Sequence, residues 1–146
     1  MQTKLRNVFM DGGIDPQFIA DSIAKHRSKQ QIGAHQIFLG QVRADQIGGK
    51  AVTAIEYTAY GPMANQKFHE IKEAAFSKFD ITCLHCHHSL GRVGAGEICL
   101  FVLVSSPHRK AAFEALEYMV EEIKAQVPIF GRELLGEDGH QWKTNK

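Results

Sequence analysis

The sequence predicts one α+β domain in which three main helices are interleaved with pairs of mixed or antiparallel strands; an α/β sandwich is the alternative. Three observations lead to this prediction. The length of 146 residues fits a single domain over 1–146, and 44% apolar residues are typical of a globular protein. Three amphipathic segments have proline at or near their first residue. Short apolar runs bounded by glycines lie between them and indicate strands.

The first helix begins at Pro16, with Asp15 as its N-cap. Ile14 and Ile19 occupy the two positions of a hydrophobic staple, which fixes the direction of the chain where it enters a helix. We expect this helix to continue for roughly three to four turns, to about Ser28.

Two strands are predicted next, over residues 32–43 and 51–60, with Gly48 and Gly49 in the turn between them. A second helix begins near Pro62. Its apolar face is expected to contain the residues that recur at helical spacing, namely Ala64, Phe68, Ile71 and Ala75.

Residues 80–88 and 97–105 indicate two more strands, joined by the glycine-rich segment GRVGAGE. The glycines of this segment follow the order G-x-x-G-x-G, the reverse of the dinucleotide-binding fingerprint, and they precede a strand instead of a helix. A hairpin turn is therefore the better interpretation.

Ser106 and Pro107 open the longest predicted helix. Its buried stripe is expected to comprise Ala112, Phe113, Leu116, Val120, Ile123 and Val127. After this helix, the segments PIFGRELL and HQWKTN are predicted to pair as a hairpin around GEDG.

The overall composition excludes several classes of function. A formal net charge of +1 gives no general attraction for nucleic acid or for a membrane surface, so any anion site must be local. No apolar run reaches membrane-spanning length, and the first residues show no signal-peptide pattern. Three cysteines fit reduced thiols in a cytoplasmic protein better than a disulfide framework.

The segment CLHCHH, Cys83 to His88, has the spacing of a c-type haem attachment site and also suggests zinc or a redox dithiol. On a strand, however, Cys83 and Cys86 point to opposite faces, so they cannot share one ligand. We therefore expect core thiols and surface histidines here, with no metal and no cofactor.

A group of cations, His108, Arg109 and Lys110, lies in the first turn of the long helix. With the free backbone N–H groups and the helix dipole they make a strong anion site, but a solvated helix start fits the pattern equally well. Arg43, at a strand end, is suited to binding phosphate or carboxylate, although a surface arginine is the more common case.

Lys124 lies near the other end of the same helix, where the dipole favours a cation for structural reasons alone. It also borders the predicted apolar stripe, and a lysine against apolar surface can act as an acid or base. Sixteen residues separate it from His108, or ~24 Å along a helix. One small ligand cannot reach both in one chain, so we predict a symmetric dimer with composite sites.

Taken in order, several segments resemble the large catalytic subunit family of molybdopterin synthase, over about Ile32 to Trp142. The resemblance rests on F-x-G-x-V-R at Phe38–Arg43, IEYTAYGPMA, His88 with LGRVGAGE, SSPHRKAAFEAL, and KAQVPIFGRE followed by DGHQW.

The resemblance implies an α/β hammerhead fold and a homodimer. It implies a partner, a small ubiquitin-like subunit whose C-terminal Gly-Gly carries a thiocarboxylate, and a substrate, cyclic pyranopterin monophosphate. Sulfur transferred between them forms the dithiolene of molybdopterin, without a metal on the large subunit. By resemblance, Lys124 is the main catalytic residue, Arg43 is a binding residue, and His108 and Arg109 come from the neighbouring protomer.

Two positions depart from the family pattern. Gly131 stands where the family has a second lysine that assists the chemistry, with Phe130 in place of tryptophan, and Ser89 stands where arginine is common. Arg132 faces away on a strand and is a poor substitute; Lys143, on the predicted partner strand, is the other auxiliary residue. The alternative hypothesis is a catalytically weakened homologue that still binds the small subunit or the pterin.

Overall fold

A computed structural model describes residues 5–136 and 139–143 of the chain. Within these ranges, three helices pack on one eight-stranded mixed sheet, which confirms the predicted α+β class. The helices are α1 (Pro16–Ala24), α2 (Gly61–Lys78) and α3 (Arg109–Gln126). The strands are β1 (Phe9–Asp11), β2 (Ala34–Gln41), β3 (Gln46–Ile47), β4 (Lys50–Ala59), β5 (Cys83–Gly94), β6 (Ile98–Ser106), β7 (Ile129–Leu135) and β8 (Gly139–Trp142).

The long strand β5 joins two parts of the sheet. The strand order is β2-β6-β5-β4-β7-β8, while β1 pairs with β5 in parallel and β3 pairs with β4. The first half of β5, residues 83–88, pairs with β6, and residues 91–94 pair with β4. Residues near the middle of β5 therefore lie where the two parts meet.

Helices cover both faces of the first part of the sheet, which explains why β6 is apolar at almost every position. Leu100, Val102 and Val104 belong to the core under α2 and α3. Phe101 and Leu103 point the other way, into the core under α1. A strand buried on both faces loses the usual alternation of polar and apolar residues.

The start of α1 confirms the prediction, and its end does not. The Asp15 carboxylate accepts a 2.9 Å hydrogen bond from the Gln17 N–H, and Ile14 and Ile19 share one core cluster. The helix ends at Ala24, not at Ser28, because residues 25–28 continue only as turns.

Several strand boundaries also differ from prediction. β2 is shorter than residues 32–43, and β5 runs through Gly94, so only Ala95–Glu97 of the GRVGAGE segment form the turn. The short strands β1 and β3 were not predicted, because three and two residues are too few to show a periodic pattern.

The buried face of α3 is rotated from the predicted one. Its buried residues are Ala112, Ala115, Leu116, Met119 and Ile123. Phe113 is 52% exposed and Val120 is only partly buried, so the prediction was wrong at both positions. Two alanines occupy the centre of the packed face, where α3 approaches the sheet closely, and the sequence pattern gave more weight to larger apolar residues.

The strands of the predicted C-terminal hairpin are confirmed: β7 and β8 pair antiparallel, with Leu135 opposite Gly139. Residues 137 and 138 of the predicted turn, and residues 144 and 145 of the second segment, lie outside the described residues. The pairing continues beyond β8, where the Lys143 N–H donates a 2.7 Å hydrogen bond to the Gly131 carbonyl. None of the helices in the described ranges is both long and apolar enough to cross a membrane.

Candidate functional site

A cavity of about 350 Å³ opens where the end of α3 meets β7 and β8. Its lining includes residues from five elements and the residue after β8: Tyr57, His88, Lys124, Gly131, Trp142 and Lys143. Pro128 ends α3 and turns the chain into β7, which forms one wall. The cavity therefore depends on residues that are far apart in the sequence.

Lys124, in the last turn of α3, is one of two lysines among the residues that line this cavity. The side chain is exposed along part of its length, yet partial burial of its ammonium lowers the lysine pKa. The positive charge of Lys143 lowers it further, while Cys99 and Glu121 oppose the change. A lysine with a lowered pKa exchanges a proton more readily near neutral pH, as a general acid or base requires.

Tyr57, His88 and Cys99 lie together beside the cavity. The Tyr57 and His88 rings meet edge to face, with centroids 5.0 Å apart. The Tyr57 hydroxyl donates a 3.4 Å hydrogen bond to the Cys99 sulfur. Burial lowers the pKa of His88 to about 4 and raises that of Tyr57. Both side chains are therefore neutral at physiological pH and leave the lysines as the charged groups.

The surroundings of Gly131 distinguish Arg132 from Lys143, the two candidates for an auxiliary residue beside Lys124. A Cβ at Gly131 would point at the cavity side, 3.0 Å from Ile55 Cγ2 and 3.2 Å from Tyr57 Cε1. Arg132 faces the opposite way and forms a 2.7 Å ion pair with Glu56. Lys143 lines the cavity beside Gly131. Of these two residues, the fold brings only Lys143 together with Lys124.

The other predicted binding residues lie elsewhere. Among the described residues, those that line the Lys124 cavity do not include Arg43, His108 or Arg109. Arg43 is exposed and lies 3.4 Å from the Asp45 carboxylate. His108 is the N-cap of α3, and α3 runs uninterrupted to Gln126, so the predicted separation of His108 from Lys124 holds.

The segment CLHCHH lies on β5, and its side chains alternate as expected. Cys86 packs in the core under α2 and α3, whereas Cys83 and His85 face the α1 side. The expectation of core thiols is confirmed, since all three cysteines are buried and free. The expectation of surface histidines was wrong: His88 is buried and His85 and His87 are half-buried, because both faces of this strand are covered.

Sequence reasoning from residue patterns missed Tyr57 and Cys99 as neighbours of Lys124. Each lies on a strand whose apolar neighbours make it look like an ordinary core position. Tyr57 lies in IEYTAYGPMA, one of the segments that resemble the family, and this was a signal that could have found it. The segment does not show which group the Tyr57 ring contacts. That contact is set by pairing between β4 and β5.

Comparison with known sequences places this chain in one protein family. The family model described as "MoaE protein" matches residues 14–126. A Bacillus subtilis protein named molybdopterin synthase catalytic subunit is 41% identical over 122 residues, 84% of this chain and 76% of that protein. An Aspergillus fumigatus protein of the same name is 37% identical over 122 residues, 84% of this chain and 64% of that protein.

Solved structures agree with these relatives. Molybdopterin synthase from Staphylococcus aureus has a TM-score of 0.81 and 32% identity, and the match covers 98% of this chain and 99% of that one. One chain in a complex of subunits 1 and 2 of molybdopterin-converting factor from Helicobacter pylori has a TM-score of 0.78. That match covers 92% of this chain and 87% of the other at 21% identity, so it speaks for the fold alone.

Proposed function

This chain belongs to the MoaE protein family, and on that premise we propose that it is the catalytic subunit of a molybdopterin synthase. In the proposed reaction, it transfers sulfur from the C-terminal thiocarboxylate of a small ubiquitin-like subunit to cyclic pyranopterin monophosphate. Two sulfurs are transferred, one from each of two loaded small subunits, and each donor terminus is left as a carboxylate. The product carries the dithiolene of molybdopterin, so the reaction belongs to molybdenum cofactor biosynthesis. Three buried free cysteines fit a reducing compartment, and a cytoplasmic location is part of the proposal.

The observation that carries this proposal is the cavity that holds Lys124 and Lys143. The sulfur donor is an anion and the pterin substrate carries a phosphate, so the two reactants repel each other. Fixed positive charges reduce that repulsion and stabilise negative charge that develops during transfer. We assign Lys124 as general acid or base and as electrostatic stabiliser, since its pKa is lowered and its ammonium faces the cavity.

Lys143 is proposed to take the role of the second family lysine, whose position is occupied by Gly131 in this chain. Its backbone is hydrogen-bonded to Gly131 across the hairpin, and its charge acts on Lys124. The lysine that follows the neighbouring strand β8 therefore supplies the cation that a lysine at position 131 would otherwise bring to the cavity. Arg132, engaged with Glu56, is not proposed to contribute.

The substrate phosphate is proposed to bind His108 and Arg109 of a second protomer, with Arg43 steering the substrate or the partner's tail. Both His108 and Arg109 are exposed, at an α3 N-terminus whose dipole favours anions. The length of α3 separates them from Lys124 in their own chain, which supports a homodimer with composite sites. The name of the Bacillus subtilis relative, catalytic subunit, implies a second subunit and supports the small-subunit partner.

The function is tested by sulfur transfer in vitro. The protein is combined with a thiocarboxylated small subunit and the pyranopterin precursor, and dithiolene product is measured for wild type and Lys124→Ala. We expect wild-type turnover and a loss of at least about 100-fold in the variant, the size of effect typical for removal of a general acid or base. Lys67→Ala, a lysine on α2 that pairs with Glu70 and does not line the cavity, is the control and should retain activity.

A second candidate function, a weakened homologue that binds the partner or the pterin without efficient turnover, is favoured by Gly131 alone. The same assay separates the two. Tight binding of the small subunit with no wild-type product would support the weakened homologue. If wild type forms product and Lys124→Ala forms it at the same rate, that result would contradict the catalytic role of this lysine.

A further inference from the structure

The sheet carries a second cluster of reactive side chains, on the face opposite the Lys124 cavity. His26 follows α1, and Cys83 and His85 lie at the start of β5. One ligand atom from each residue, an imidazole nitrogen or the thiol sulfur, lies within 4.8 Å of the other two. The proposed sulfur transfer uses none of them, because β5 directs these side chains toward α1 and directs His88 toward Lys124.

We propose that His26, Cys83 and His85 form a binding site for a thiophilic divalent transition metal, with Zn²⁺ as the expected ion. Two imidazoles and one thiolate are ligands that zinc accepts in proteins, and three protein ligands leave a fourth position open. The ligands come from two distant segments that the fold brings together, so the site is not a sequence motif. It is also separate from the pairing of Cys83 with Cys86 that the segment CLHCHH first suggests.

The spacing of the two imidazoles already suits a metal. The Nε2 atoms of His26 and His85 are 3.1 Å apart. Two nitrogens bound to one tetrahedral Zn²⁺ at about 2.1 Å lie roughly 3.4 Å apart, so the rings need to separate by only a few tenths of an ångström. The Cys83 sulfur, within 4.8 Å of both, has to approach by roughly 1 Å to reach its own bonding distance.

A hydrogen bond at the second ring nitrogen fixes the orientation of the His26 ring, as a metal ligand requires. Its Nδ1 lies 2.7 Å from the Ser22 carbonyl oxygen. A carbonyl only accepts, so Nδ1 carries the proton and the Nε2 of the neutral ring presents its lone pair to His85. Histidines that bind metals usually donate their second N–H to a carbonyl or carboxylate in this way. The cluster therefore has one ligand in the required tautomer before an ion arrives.

Lys29 occupies a position that bears directly on the thiol. Its Nζ lies 2.8 Å from the Cys83 sulfur. Lys29 is an exposed residue, so its ammonium has room to withdraw into solvent as an ion replaces it.

A cavity of about 410 Å³, lined in part by His26 and His85, gives access to the cluster. Its lining also includes the cations Arg6, Lys25 and Lys29. Their charge opposes a bare dication but attracts an anionic fourth ligand, such as chloride, phosphate or a carboxylate. The complete site is thus expected to be a metal held by two histidines, one cysteine and one exchangeable anion.

Cobalt titration tests the proposal, because Co²⁺ substitutes for Zn²⁺ and reports its ligands by absorption. Reduced, tag-free, chelator-treated protein is titrated with Co²⁺ in chloride buffer. We expect one equivalent to bind, with a thiolate-to-cobalt charge-transfer band and the visible bands of four-coordinate Co²⁺, all displaced by Zn²⁺. Cys83→Ser should abolish the charge-transfer band, and His26→Ala should abolish the four-coordinate spectrum.

Cys86→Ala is the matched control, since this thiol lies three residues away on the same strand but points into the opposite core. It should retain the full spectrum. Circular dichroism confirms that each variant is folded, and Zn²⁺ should raise the thermal midpoint of wild type and of Cys86→Ala but not of Cys83→Ser. The proposal is overturned if folded wild type shows no charge-transfer band in excess Co²⁺, or if the band survives in Cys83→Ser.

Discussion

The surroundings of Lys124 act on its positive charge in two opposite ways. The end of α3 favours a cation there, and the same position places the ammonium beside Lys143 and the buried His88 ring. Burial and like charge both lower the lysine pKa. The helix dipole thus helps to hold a charge that the cavity destabilises, a balance suited to a residue that exchanges a proton.

Gly131 allows the proposed exchange of lysines to be tested directly. Lys143→Ala is expected to lower sulfur transfer, and Gly131→Lys added to it is expected to restore part of the loss, because both side chains reach one cavity. Restoration should be incomplete, since a Cβ at 131 meets Ile55 at 3.0 Å and that neighbour has to shift. Gly131→Ala in the same background supplies the Cβ without the charge, and it should restore nothing. An unchanged rate in Lys143→Ala alone would end the hypothesis.

His88 makes stability depend on pH. Its pKa falls from 6.5 to about 4 in the folded protein, chiefly through burial, so the unfolded chain binds more protons between these values. Stability is therefore complete above pH 6.5 and is lost as the pH falls toward 4, by roughly 3 kcal/mol for this group.

The measurement for His88 is urea unfolding of wild type and His88→Gln at several pH values between 6.5 and 4. The variant does not titrate, so its unfolding free energy should decline less steeply with falling pH. Other groups that titrate are common to both proteins and cancel in the difference. Equal slopes for the two proteins would show that His88 keeps its ordinary pKa in the folded state.

At the scale of elements, α1 depends on its first turn. It has nine residues and no basic side chain in its last turn, so the cap at Asp15 is one of few local interactions that favour it. Asp15→Ala is expected to lower the free energy of unfolding by about 1 kcal/mol, because the Gln17 N–H loses its acceptor. Asp15→Ser keeps an acceptor and should cost only a few tenths. Chemical denaturation distinguishes them, and equal losses would mean that the cap contributes nothing.

The prediction of helices and strands succeeded where the sequence signal was local. It failed where the burial of a residue depended on distant parts of the chain. Asp15-Pro16 and Pro62 mark helix starts that the structure places within one residue. The α3 stripe was wrong at Phe113 and Val120, because helical periodicity cannot tell a packed alanine, such as Ala115, from a solvent-facing one. Histidines on β5 were assigned to the surface for the same reason: the sequence does not show that α1 covers that face.

At the scale of the whole molecule, the proposed composite site leads to a complementation experiment. Lys124→Ala and Arg109→Ala dimers are each expected to be inactive. If a site combines Lys124 of one chain with Arg109 of the other, a mixed dimer has one intact site and one doubly altered site. Statistical exchange of subunits should then recover about a quarter of wild-type activity. Recovery no greater than the sum of the two single variants would place both residues of a site in one chain.

The sequence by itself determined the fold class, most of the elements, and an ordered set of segments whose part up to residue 126 lies within the family match. It also singled out Lys124, and the spacing along α3 that separates this lysine from His108. These features are local: they depend on periodicity, caps and motifs, which neighbours in the chain set directly.

Only the tertiary structure decided which groups meet. It placed Lys143 rather than Arg132 in the cavity with Lys124, because the hairpin register puts Lys143 next to Gly131 while Arg132 pairs with Glu56. It brought His26 to Cys83 and His85, across more than fifty residues of sequence. Contacts of this kind follow from strand pairing and from which face a helix covers, and no short stretch of sequence contains that information.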